Sequence, residues 1–181
     1  MSKTFELYPL EEIHLQMVLD WRNEPAVRKN MYTSHEISFA EHKRWFHSLA
    51  NDASKAYFIA VIDGIECGVV GFSEINSVQG IATWAFYKSP NALKGSGSLM
   101  EFYALDYAFN ELQLHKLRCE VLGFNHAVVE LHKKFGFLVE GQHRDAFFDG
   151  SEYHDIFHLG IMAAEWFAHR EVMQKKFELG F

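Results

Sequence analysis

The sequence predicts a mixed α/β fold, a single and mostly antiparallel sheet flanked by helices. Three observations carry that reading. β-rich runs meet at Asp63-Gly64 and at Asp149-Gly150, the residue pair that hairpin turns with positive φ favour. Apolar residues recur at helical spacing in the segments between and beside those hairpins. No linker, low-complexity tract or repeat divides the 181 residues and only three prolines interrupt them, so one domain over 1–181 is expected.

In chain order, residues 5–8 read as a short first strand. Residues 10–23 carry Leu15, Val18, Leu19 and Arg22 on one helical stripe, stopped by Asn23-Glu24-Pro25. Ser38 with Glu41 three residues on forms a capping box before Phe39, His42, Phe46 and Leu49. Residues 56–62, 65–75 and 81–88 form an antiparallel meander. A strongly apolar helix over 98–112 follows, with Phe102, Leu105, Phe109 and Leu112 spaced to pack on the sheet. Then come a strand at 116–122, a helix at 125–135, a hairpin of 138–148 with 151–162, and a last helix at 164–177 carrying Trp166, Arg170, Met173 and Phe177.

Composition narrows the function. Nearly half the residues are hydrophobic and 15% are aromatic, as a packed core requires. A net charge of −7 argues against nucleic acid as a partner, because phosphate neutralisation needs clustered Lys and Arg. The first four residues contain no apolar leader, and no apolar run is long enough to cross a bilayer. Cys67 and Cys119 lie in separate predicted strands and read as buried free thiols of a reducing cytoplasm. No nucleophile elbow, Walker loop or Cys-x-x-Cys pair occurs. His154 and His158 share a strand face, with His143 across the hairpin, but no metal is expected there.

The segment Lys94-Gly95-Ser96-Gly97-Ser98 joins a predicted strand to the apolar helix. Free amides at a helix start, with the positive end of the dipole behind them, bind phosphate without a cationic side chain. Such a loop is also how many chains simply turn. A ligand would lie here, beside the carboxyl end of a strand.

Trp84-Ala-Phe-Tyr-Lys-Ser-Pro90 followed by Leu93-Lys-Gly-Ser-Gly-Ser-Leu-Met100 resembles the cofactor strand and pyrophosphate loop of the GNAT acetyltransferases. Leu117-Arg-Cys-Glu-Val121 and the helix from Asn125 to Gly136-Phe137 resemble that family's later strand and helix. Trp21-Arg-Asn-Glu-Pro25 is similar to a segment of the branch that includes ribosomal-protein acetyltransferases. Together with Met31-Tyr32 and Ser34 to His42, it looks closest to the amino-sugar N-acetyltransferases of pseudaminic acid biosynthesis, which act on a UDP-linked 4-amino-4,6-dideoxy sugar. Two positions depart from the family pattern: Ala92 stands where Gln or Arg is usual, and His132 stands where a tyrosine often serves as acid.

The resemblance implies the GNAT fold, acetyl-CoA as cosubstrate, and direct attack of an amine on the thioester. It implies an oxyanion-binding amide near Phe86 and Tyr87, and cofactor contacts from Lys94, Gly95, Ser96, Gly97, Ser98 and Asn125. His132 is the candidate proton donor to sulfur, or else a histidine packed beside Val128 and Phe135. Glu74, at a strand end, is the candidate base, or else an exposed charge. Arg22, Met31, Tyr32, His35 and Trp45 are candidates for the acceptor site, with Arg22 on a diphosphate and Tyr32 or Trp45 on a base. Core packing of Trp45 and a helix-end ion pair for Arg22 are the plainer readings. A UDP-amino sugar is the expected partner, with a protein N-terminal amine or a non-catalytic CoA-binding role as alternatives. The last helix or hairpin offers a surface for a homodimer.

Overall fold

The computed structural model describes residues 4–178, so the reading of the first residues as leaderless lies mostly outside them. Seven strands form one sheet in the order β1-β2-β3-β4-β5-β7-β6. They are β1 (Phe5–Pro9), β2 (Ala56–Ile62), β3 (Ile65–Asn76), β4 (Ile81–Lys88), β5 (Lys116–Leu122), β6 (Leu138–Phe148) and β7 (Tyr153–Met162). Every neighbouring pair is antiparallel except β4 with β5.

The β2–β3 turn is formed by Asp63 and Gly64, both at positive φ, as a two-residue primed turn demands. At the second hairpin the Asp149 side chain accepts the Ser151 and Glu152 amides, so a side chain closes the turn as much as the glycine does.

Side chains of β2 alternate between the two faces of the sheet. Phe58, Ala60 and Ile62 join the main core, whereas Ile59 and Val61 face Val18 on the other side. Helices α4 (Ser96–Asp106), α5 (His126–Lys134) and α6 (Ala163–Glu178) contribute to the main core. The opposite face is covered from α1 (Leu15–Asn23), which packs beside α3 (Phe39–Leu49). Both cysteines are free and buried, and burial pushes the Cys67 thiol up to about 11. Among the described residues, no helix is long and apolar enough to cross a membrane.

Three elements differ from the sequence reading. The helix expected over 10–23 begins as a 3-10 turn at Glu12–His14, and a short α2 (Pro25–Arg28) follows the Pro25 break, with the proline at its permitted first position. The capping box at Ser38 is half formed. Ser38 Oγ accepts the Glu41 amide at 3.2 Å, but the Glu41 carboxylate turns to His35 at 3.1 Å. The helix expected over 98–112 starts at Ser96 and passes at Tyr107–Glu111 into a π-helical turn, where the Leu112 amide reaches the Tyr107 carbonyl.

Candidate active site

The parallel pairing of β4 with β5 lasts only from Ile81–Lys116 to Thr83–Arg118. Beyond it the strands diverge, and a cleft of about 540 Å³ opens between their carboxyl ends. Trp84 to Pro90 form one wall, and Cys119 to Leu122 the other. Asn125, Val128 and His132 close it from α5, while Glu24, Val27, Met31 and Tyr32 roof it. Because β5 leaves β4 after Thr83, the β4 backbone at Phe86 and Tyr87 has no strand beside it on the cleft side.

The glycine loop reaches this cleft from α4. Gly95 caps the helix at φ 86, a conformation that costs glycine little. No side chain caps the helix; the Ser98 and Leu99 amides bond the Gly95 carbonyl, and the Gly97 amide has no backbone acceptor. Ser96 Oγ is buried without a hydrogen-bond partner. A Cβ on Gly97 would lie 3.5 Å from Lys88 Cδ and 3.7 Å from Phe86 Cε2, so the glycine brings the helix start close to β4. The free Gly97 amide and Ser96 hydroxyl, at the positive end of a helix, fit a phosphate. The loop borders the cleft through Phe86 and Lys88 and does not itself line it.

His132 is buried yet reaches the cleft. Its ring stands edge-on to Trp84, with centroids 5.5 Å apart, and near Phe86 and Phe137. Its Nδ1 lies 2.7 Å from Oε1 of Glu101, a wholly buried residue of α4. Burial raises the Glu101 carboxyl above its ordinary range, with the His132 hydrogen bond opposing. Glu101 was not foreseen. Its signal was a single charge on the otherwise apolar face made by Glu101, Ala104, Leu105 and Ala108.

On the acceptor side, Tyr32 Oη donates to Glu120 Oε2 at 2.5 Å. The other Glu120 oxygen lies 3.4 Å from His158 Nδ1, and His158 Nε2 is 3.0 Å from His143 Nδ1. A chain of hydrogen-bonding groups thus runs from the cleft to the β6–β7 surface. His154 is drawn away to Asp149 at 2.8 Å. Asp149, Glu152 and His154 can offer three ligand atoms within 4.8 Å of one another, but the Asp149 oxygens already serve the turn and His154.

Among the acceptor candidates, Met31 and Tyr32 line the cleft, whereas Arg22, His35 and Trp45 do not. Arg22 donates to the Thr33 carbonyl at 3.0 Å and so holds the roof loop. His35 meets Glu41, and Trp45 stacks on His42 and stands edge-on to Tyr57 on the covered face. Glu74 is not brought to the cleft either. Its carboxylate accepts from Thr83 at 2.7 Å and pairs with Arg118, at the end of β4 and β5 where the strands are still joined.

A splayed strand pair, a glycine loop at a helix start beside it and a buried histidine in the cleft form a site that suits a transferase with a phosphorylated carrier. Residues 5–138 match the acetyltransferase (GNAT) domain model, and the chain belongs to that family. It is 29% identical to acetyltransferase PseH of Campylobacter jejuni over 80% of this chain and 90% of that one. It is 28% identical to spermidine N(1)-acetyltransferase of Escherichia coli over 94% and 92%. The structure of spermidine N-acetyltransferase from Vibrio cholerae with CoA and spermine superposes with a TM-score of 0.84 at 25% identity, covering 90% of this chain and 98% of that one. The protein is therefore an N-acetyltransferase that uses acetyl-CoA, and the non-catalytic alternative falls.

Proposed function

We propose that the acceptor is the primary amine of a nucleotide-linked 4-amino sugar. The observation that carries this is a pair of arginines beside the roof, each with one buried nitrogen left without a partner. These are Arg22 Nη1 and Arg28 Nε, and the Arg28 charge bears on Arg22, whose other terminal nitrogen holds the Thr33 carbonyl. Neither side chain lines the cleft, so a diphosphate that answers both would meet them past the roof residues Val27 and Met31. PseH among the relatives, and the resemblance over residues 21–49, support the same class.

In this reading the cleft walls hold the amine against the thioester, which supplies most of the acceleration by proximity. The β4 backbone at Phe86 and Tyr87 donates to the developing oxyanion. Glu120 takes the place foreseen for Glu74 as acceptor of the amine proton, since it lines the cleft and leads through His158 to the surface. His132 donates a proton to the departing sulfur.

A polyamine acceptor is the second reading, favoured by Glu24 and Glu120 in the cleft wall and by the spermidine acetyltransferase relatives. Free-thiol release from acetyl-CoA should be followed with a UDP-4-amino sugar, with spermidine, and with peptides ending in alanine or serine. Release with the sugar is expected. Release with spermidine or peptide alone would replace the sugar assignment.

A further inference from the structure

His132 sits in the cleft, but the group that decides what its ring can donate lies behind it. Glu101 is fully buried, its Oε1 lies 2.7 Å from His132 Nδ1, and its Oε2 has no partner at all. An ionised carboxylate with one oxygen abandoned in an apolar core is costly, whereas a neutral acid leaves only a carbonyl-like oxygen unpaired. The surroundings offer no counter-charge. From β4 the ring faces Trp84 and Phe86, with Lys88 further along the strand. From β5 the neighbour in electrostatic contact with Glu101 is the Cys119 thiol, itself held neutral by burial, and Glu120 lies beyond it. On α5, Lys133 and Lys134 are exposed to solvent.

We propose that Glu101 is a positioning residue that carries a proton, donates it to His132 Nδ1, and thereby fixes the imidazole as the tautomer whose Nε2–H points into the cleft. His132 Nδ1 is then an acceptor, so its remaining proton must lie on Nε2. That nitrogen is not among the buried unpartnered atoms, and His132 lines the cleft.

As the amine's C–N bond forms and the C–S bond breaks, the sulfur is left with an electron pair. His132 gives its Nε2 proton to that pair, and Glu101 gives its own proton to Nδ1. The ring stays neutral throughout, and the negative charge that left the sulfur passes only transiently to Glu101, where its cost drives reprotonation. Water then returns a proton to the dyad through His132, matched by the amine proton released to water through Glu120. The pair thus neutralises a thiolate without placing an imidazolium among Trp84, Phe86 and Phe137. A tyrosine could do the same task alone; a histidine in this dry position needs the second proton behind it.

The inference rests on His132 as the donor to sulfur, so the test separates the two. Nitrogen-15 NMR of the ligand-free, histidine-labelled protein at neutral pH should show His132 protonated at Nε2 only. E101Q should keep that tautomer, because a glutamine amide also donates to Nδ1, whereas E101L should lose it. Both variants should lower kcat about 100-fold with little change in KM for acetyl-CoA, since a glutamine orients the ring but yields no proton. H132Y should recover activity, and E101Q on that background should cost less than about threefold, because a phenol needs no relay. A ring protonated at Nδ1, or doubly protonated, overturns the proposal. So does E101Q with wild-type kcat while H132F is impaired, which leaves His132 as donor but removes Glu101. Wild-type kcat in H132F would instead remove the donor role itself, and the relay with it.

Discussion

The closest backbone approach beneath the cleft lies at Gly68 of β3, opposite Lys88 of β4. A Cβ there would sit 2.4 Å from the Tyr87 carbonyl oxygen, 2.7 Å from Met100 Cε and 3.0 Å from Lys88 Cα. Met100 can swing its terminal methyl away, but the other two atoms belong to the backbone of the strand that walls the cleft. Gly68→Ala therefore has to push β3 and β4 apart. Overpacking of this kind costs about 1–3 kcal/mol, which for a chain of this size lowers Tm by about 2–12 °C. The displaced segment carries Phe86 and Tyr87 in the cleft wall, and with the oxyanion role proposed for their backbone, a shift approaching 1 Å there costs up to about 100-fold in kcat/KM. The control is Gly141→Ala on β6, where a Cβ meets nothing within 4 Å and the loss should stay below about 0.5 kcal/mol. Thermal melts and thiol-release kinetics on both variants decide the matter. Gly68→Ala with wild-type Tm and wild-type kcat/KM would refute the close approach and its link to the cleft.

Three further outcomes follow from other parts of the fold. Gly97→Trp should abolish calorimetric binding of acetyl-CoA, because an indole beside Lys88 and Phe86 fills the floor of the phosphate cradle; unchanged affinity would remove the loop from cofactor binding. Asp106 accepts Trp166 Nε1 at 2.9 Å and two Arg170 nitrogens at 2.7 Å, so Asp106→Ala, which strands a buried indole N–H, should cost about 2–3 kcal/mol in urea denaturation, with Asp106→Asn costing less. Burial raises the Glu101 carboxyl, so its contribution to stability is complete below the ordinary 4.5 and is lost as pH rises through the raised value. Glu101→Gln should accordingly gain on the wild type in Tm as pH climbs from 4.5 to the raised value and level off above it, and a difference that does not change with pH would count against a buried neutral acid.

The hairpins and the meander were legible because their signals are local. Asp63-Gly64 announces its own turn, and β4 and β5 end where the pattern of side chains says they should. Of the cofactor candidates, Phe86, Tyr87 and Asn125 line the cleft because two strands deliver the chain there, while the 94–98 loop only borders it. On the acceptor side the candidates divide. Met31 and Tyr32 line the cleft, whereas hydrogen bonds and ring contacts over short separations turn Arg22, His35 and Trp45 to Thr33, Glu41 and Tyr57. The contact that anchors Tyr32 at the cleft lies far off in sequence, on Glu120, 88 residues away. Strand position also misled for Glu74, because β3 ends on the closed side of the β4–β5 fork and Arg118 claims it there. Glu101 shows the signal that would have served better. A carboxyl on the packed face of an apolar helix calls for a hydrogen-bonding partner among the elements that share its core, and α5 is one of them. On α5 the buried positions are Val129 and His132, and only the histidine can answer a carboxyl.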